Sequence, residues 1–234
     1  MKRYENKYFS ILGDSISTLA GYSQPSEAVF YDTARKLASG VLTFSDTWWG
    51  QVIERLGGKL LVNNSISGST VCNHPSYEIP SYGCSDERTS ALDRQGISPD
   101  YIFVHLGTND WGFGLRVNAE QTSGNYTFLT AYKAMLEKLQ RNYPNAEIWC
   151  FTLPVSTCSA MQNFAFPYTY GGRHLSEYCN AIKESATAYG CRIIDLNETV
   201  KEYDTMDGFH PNVEGMQTLA NAVLEIIQTN GFGE

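Results

Sequence analysis

The chain has 234 residues, of which 42% are apolar and 18% charged, an ordinary composition for a globular protein able to bury a core without disulfides or metals. Its formal net charge of −8 excludes the basic face that a nucleic-acid-binding surface needs. No stretch approaches membrane-spanning length.

The polar segment Met1–Tyr8 runs directly into an apolar run with no signal-like stretch before it. A cytoplasmic location is therefore expected, or a secreted one if a leader has been removed. Five apolar runs predict strands: Tyr8–Leu12, Lys59–Asn63, Tyr101–Leu106, Glu147–Leu153 and Arg192–Leu196. They alternate with helical patterns, the signature of a parallel sheet covered on both faces. The third run, Tyr-Ile-Phe-Val-His-Leu, is nearly all apolar, as a central strand must be.

Four helices fit between and after the runs. Asp46 is placed to cap Trp48–Leu56, which stops at Gly57-Gly58. Phe128–Asn142 carries Leu129, Tyr132, Leu136 and Leu139 at helical spacing, with Pro144 as breaker. Arg173–Tyr189 and Val213–Gln228 repeat the pattern. With no linker or internal repeat, one domain over residues 1–234 is expected.

Three segments lack a period: Ser17–Ser45, Trp111–Asn125 and Pro154–Gly172. Loops this long are uncommon unless they are functional or disordered. Each follows a strand end or a polar cluster, so all should project from the edge where open α/β sheets bind ligands. Their rings (Tyr22, Phe30, Tyr31, Phe44, Trp111, Phe113, Phe164, Phe166, Tyr168, Tyr170) suit pocket walls. The six cysteines are expected as thiols, although Cys72 and Cys84 flank a loop and could pair; no zinc spacing occurs.

Polar clusters stand where strands end. Ser15 in Gly13-Asp14-Ser15 would expose its hydroxyl at the sheet edge; alone, it reads sooner as a helix N-cap. In Asp207-Gly208-Phe209-His210 a turn can bring carboxylate and imidazole together, leaving Nε2 for a serine. Asn109, after Gly107, offers a neutral amide for an oxyanion, or an Asx-turn. Gly68, within Ser65–Thr70, offers a backbone N–H, or a plain turn. His105 reads as a satisfied core histidine, and His74 and His174 as solvated. Asp14 and Asp110 read as turn or structural carboxylates, and Trp48-Trp49 as packing, with one ring able to reach a pocket.

Together, Gly13-Asp14-Ser15, Gly68, Gly107-x-Asn109-Asp110 and Asp207-x-x-His210-Pro211 resemble the motif blocks of the GDSL/SGNH hydrolase superfamily in order and spacing. Ile16 stands where that family's name has leucine. The resemblance implies a three-layer α/β/α, flavodoxin-like fold with a five-stranded parallel sheet in the order 2-1-3-4-5. It implies Ser15 as nucleophile, His210 as base and Asp207 as its orienter. The Ser15 and Gly68 amides and the Asn109 side chain would form the oxyanion hole. No cofactor or metal is implied, and the partner is an ester substrate.

A short acyl or O-acetyl ester on carbohydrate is the expected substrate, with a lysophospholipase- or thioesterase-type activity as the alternative. Two non-catalytic readings remain open at this stage. One is a flavin or phosphate site built on Ser65–Thr70; the other is a carbohydrate-binding module working through the aromatic loops.

Overall fold

Alternating strand and helix patterns leave the chain one economical way to bury its apolar faces, a parallel sheet between two helical layers. The computed structural model describes residues 4–23, 28–73, 81–118, 127–155 and 173–231. Its strands are β1 (Tyr8–Gly13), β2 (Lys59–Ser65), β3 (Tyr101–His105), β4 (Glu147–Phe151) and β5 (Arg192–Ile194). They form one parallel sheet in the order β2-β1-β3-β4-β5, as the family resemblance implies.

The helices are α1 (Thr33–Ser39), α2 (Trp48–Leu56), α3 (Asp86–Thr89), α4 (Thr108–Gly112), α5 (Phe128–Asn142), α6 (Leu175–Ala188), α7 (Leu196–Thr199) and α8 (Val213–Thr229). Alternation along the strands divides the core in two. Phe9, Ile11, Phe103, Trp149 and Phe151 face α2 and α8, packing on Trp48, Trp49, Ile53, Met216, Leu219 and Val223. Leu12, Ile102, Val104, Ile148 and Cys150 face α5 and α6, packing on Met135, Leu136, Leu139, Tyr178 and Ile182. Each such side chain contributes about 1.5–3 kcal/mol by leaving water.

The sheet's opposite edge is pinned by Asp100, which accepts from the Tyr8 N–H and pairs with Lys7 Nζ, each at 2.8 Å. At the C-terminal edge, register does the positioning. Gly13 lies beside Ser65 on one side and His105 on the other. The segments leaving β1, β2 and β3, which carry Ser15, Gly68 and Asn109, therefore start side by side.

Several local expectations are corrected. β2 runs on to Ser65, whereas β3, β4 and β5 end before the apolar residues that follow them. Thr47 caps α2, its hydroxyl accepting from the Gly50 N–H at 3.0 Å. Asp46 instead closes the preceding turn by accepting from the Leu42 and Thr43 amides. The segment Ser17–Ser45 contains α1, capped by Asp32 and stopped by Gly40 at φ +74°. Cys72 and Cys84 lie buried as thiols. Cys158, His74, Phe164, Phe166, Tyr168 and Tyr170 lie outside the described residues.

Candidate active site

Ser15 opens a short 3-10 turn, Ser15–Ser17, directly after β1. Asp14 serves that turn as expected, its Oδ1 accepting from the Ile16 N–H at 3.1 Å. Gly13 is required by crowding, since a Cβ there would lie 2.7 Å from Ser65 Oγ and 2.9 Å from Ser17 Cβ. Both tryptophans of α2 brace the turn from below. Trp48 Nε1 donates to Ser17 Oγ at 3.2 Å and Trp49 Nε1 to Ser17 O at 3.0 Å. Both are buried in the core, and neither is among the residues that wall the cavity described below. Burial lifts the Asp14 carboxyl to about 6, against the lowering effects of the Ile16 N–H and the nearby His210.

His210 and Asp207 come from the loop before α8. An antiparallel bridge between Thr205 and Pro211 closes this loop, and the Met206 N–H donates to His210 O at 2.8 Å. Tyr31 Oη holds Pro211 O at 2.7 Å, and Tyr203 Oη holds Phe209 O at 2.9 Å. The Asp207 Oδ1 accepts from the backbone N–H groups of His210 (2.9 Å) and Phe209 (3.1 Å). Its Oδ2 lies 2.7 Å from His210 Nδ1. Burial alone would raise this carboxyl, but the bonds from the His210 ring and the two amides outweigh it and hold the group at about 2.

An ionised carboxylate can only accept, so His210 Nδ1 donates to it, and in the neutral ring that leaves Nε2 with a lone pair. That nitrogen lies 2.9 Å from Ser15 Oγ. Residues 195 positions apart in sequence thus form one continuous chain of hydrogen bonds, serine to imidazole to carboxylate. The Phe30 ring stacks on His210, with centroids 3.4 Å apart and planes 9° from parallel, and fixes the imidazole plane. Sequence reasoning placed Phe30 in an aromatic loop without assigning it this contact.

Gly68 sits at φ +77°, in the turn closed by the Ser69 N–H on Ile66 O at 3.1 Å. A side chain there would be strained. Asn109, in the first turn of α4, donates one N–H to Ser69 O at 2.8 Å. A primary amide has two such hydrogens, so the bond orients the group and leaves one for a ligand. Asp110 ties the same two segments together. Its Oδ2 accepts from the Val71 N–H at 2.7 Å and its Oδ1 from the Cys72 N–H at 3.1 Å, the structural role expected of it.

The most consequential residue missed in the sequence is Arg88 on α3, only 2% exposed, whose guanidinium grips the segments carrying Ser15 and Gly68. Its only sequence signal was a charged residue in a short unpatterned segment. The hydroxyls of Ser65, Ser69 and Thr70 are buried rather than gathered into an open phosphate cradle. Thr70 Oγ1, for one, donates inward to Cys72 O at 2.7 Å. His105 is a core residue as expected but not a satisfied one, since neither ring nitrogen has a hydrogen-bond partner among the described residues. Burial pushes it down to about 4, and it meets Trp48 edge-on. His174 is no solvated bystander: it caps α6, its Nδ1 accepting from the Ser176 N–H at 3.2 Å.

A small apolar cavity is walled by residues such as Ile16, Thr108, Trp111, Leu153, Leu175 and Phe209. Three of these adjoin Ser15, Asn109 and His210 in sequence. Its free volume of about 10 Å³ has room for roughly one water-sized group. The site can therefore take a proton from a serine hydroxyl, offer N–H donors nearby, and seat a small apolar group.

A family model described as GDSL-like Lipase/Acylhydrolase matches residues 7–162. Among solved structures, one described as a GDSL-like lipase from Bacteroides ovatus superposes with a TM-score of 0.73 at 27% identity, covering 96% of this chain and 99% of that one. Another so described, from Bacteroides uniformis, gives a TM-score of 0.71 at 31% identity and covers 96% of both chains. A stretch of 57 residues is 37% identical to the cellulase/esterase CelE of Acetivibrio thermocellus. That match takes in 24% of this chain and 6% of the relative's length.

Proposed function

The chain belongs to the GDSL-like lipase/acylhydrolase family, and on that premise we propose that it is a serine esterase working through an acyl-enzyme, with residues 1–234 acting as one domain. The observation that carries this reading is the unbroken chain Ser15 Oγ, His210 Nε2, His210 Nδ1, Asp207 Oδ2, at 2.9 and 2.7 Å. Ser15 Oγ attacks the ester carbonyl while His210 Nε2 takes its proton, and Asp207 stabilises the imidazolium that forms. The electron pair displaced onto the carbonyl oxygen is held by the Ser15 and Gly68 amides and the remaining N–H of Asn109. Collapse of this intermediate expels the alcohol, which receives its proton from His210. Water then attacks the acyl-enzyme by the same route and frees Ser15.

A short acyl group, above all an O-acetyl ester on a carbohydrate, is the substrate class favoured. The small apolar cavity lined by Ile16, Thr108 and Phe209, the sequence neighbours of Ser15, Asn109 and His210, supports the acetyl part. The carbohydrate part is supported by likeness to a cellulase/esterase over 57 residues. Steady-state hydrolysis of p-nitrophenyl acetate, then of acetylated oligosaccharides, tests the proposal. Ser15→Ala should abolish turnover, and Asn109→Ala should lower kcat by about 10²–10³-fold with the fold intact. Near-normal activity in Ser15→Ala would refute it.

A further inference from the structure

We propose that Arg88 is a positioning residue for the oxyanion site, holding the Ser15 turn and the Gly68–Ser69 loop in fixed relation; this rests on the esterase reading above. Its guanidinium is a fork with one tine on the paired ends of the first two strands and the other on Ser69 and Ser81 beyond β2. Nη2 donates to Gly13 O at 3.0 Å and to Asn64 O at 2.8 Å, joining the ends of β1 and β2. Nη1 donates to Ser69 Oγ at 2.8 Å and to Ser81 Oγ at 3.1 Å.

Two of the four contacts, those on Gly13 and Ser69, lead to proposed oxyanion donors. Gly13 lies two residues before the Ser15 amide, and Ser69 immediately follows Gly68. The carbonyl of Ser69 is also the acceptor that orients Asn109, at 2.8 Å. One side chain therefore sets the spacing of all three donors, the last through Ser69.

The four acceptors are neutral, and the carboxylates that favour the Arg88 charge, Asp14 above all and Glu87, act on it through space against the effect of burial. A cation withdrawn from water without a contacting counter-ion is expensive. Here it places positive charge behind the backbone where negative charge develops in the reaction, so the field is worth most in the transition state. A lysine could supply the charge but not the geometry, because an ammonium is a point donor and cannot span both strand ends and the loop.

The test is a double-mutant cycle on p-nitrophenyl acetate with Arg88→Met, Asn109→Ala and the pair, folding being checked by near-UV circular dichroism. Arg88→Met should lower kcat by about 10²-fold while KM stays within about threefold, and Arg88→Lys should recover little of it. The double variant should fall little below the worse single one, because both substitutions damage the same donor set. Additive losses, or a folded Arg88→Met with kcat within about threefold of the parent, would overturn the proposal.

If Arg88→Met does not fold, Ser69→Ala removes one tine's acceptor and leaves the backbone in place. It should cost about tenfold in kcat and add little to Asn109→Ala; an unchanged kcat would overturn the proposal equally. The two levels separate cleanly. Activity surviving Ser15→Ala sinks the esterase reading, whereas an inert Ser15→Ala beside fully active Arg88 and Ser69 variants sinks only this inference.

Discussion

Lengthening the acyl group of the substrate from acetyl to butyryl should reduce turnover, and the size of the drop follows from the cavity lined by Ile16, the residue after Ser15. Two methylenes are added. Were they buried in a roomy pocket, each would contribute about 0.8 kcal/mol, and kcat/KM would rise about 15-fold. The cavity's free volume is about 10 Å³, enough for a terminal methyl and little else. Forcing extra methylenes against packed walls costs about 1–3 kcal/mol, so kcat/KM should fall about 5- to 150-fold. Leu175 is one of those walls and is 2% exposed. Leu175→Ala should open the space and bring acetate and butyrate within about threefold of each other, at a stability cost of about 2–5 kcal/mol. The assay is kcat/KM for p-nitrophenyl acetate, butyrate and hexanoate on both proteins below the variant's melting temperature. Activity in the parent that climbs from acetate to hexanoate would refute the reasoning and favour a lysophospholipase- or thioesterase-type site.

Two further outcomes come from the carboxylates. Asp207→Asn should lower kcat by about 10²–10⁴-fold at little-changed KM, because a neutral amide no longer fixes the tautomer that leaves Nε2 free to accept; a loss below about tenfold would contradict the role given to Asp207. The same carboxyl should tie stability to pH. Held at about 2 instead of 3.8, it corresponds to about 2.5 kcal/mol, which exposure of 43% of its side chain reduces to about 1 kcal/mol. That contribution is present above pH 3.8 and disappears as pH falls toward 2, so urea melts of Asp207→Asn should lack this acid-limb loss. Asp14 acts with the opposite sign. Burial raises it to about 6, the unfolded chain ionises first, and stability should decline as pH rises from 3.8 through about 6. A rise across that interval in Asp14→Asn-corrected melts would contradict the burial argument.

How much of this was legible in the chain depended on whether a segment announced itself through apolar periodicity. The third strand did so because both its faces are covered, and α5 matched to the residue because its buried positions recur at helical spacing. The helix α1 gave no such signal, since only Ser39 of its seven residues is buried. Its cap Asp32 and its stop Gly40 were visible in the sequence but stood in a segment without a stripe. Ser15, Asp207 and His210 were singled out through strand-end placement and family-like spacing, and the structure brings their side chains together. Arg88 was invisible for a different reason. An arginine in Asp-Glu-Arg-Thr reads as solvated, and only tertiary structure shows it turned inward onto Gly13 and Asn64. The Phe30 stack on His210 was hidden likewise, because it joins elements 180 positions apart.

The most direct test of the account is to ask which atom the enzyme uses. Incubation with a fluorophosphonate, followed by intact-mass and peptide mass spectrometry, should add one phosphonyl group per chain, on Ser15. The adduct should be absent from Ser15→Ala and should form far more slowly in His210→Ala. A label on any other residue, or undiminished hydrolysis by a protein whose Ser15 is fully blocked, would contradict the central claim.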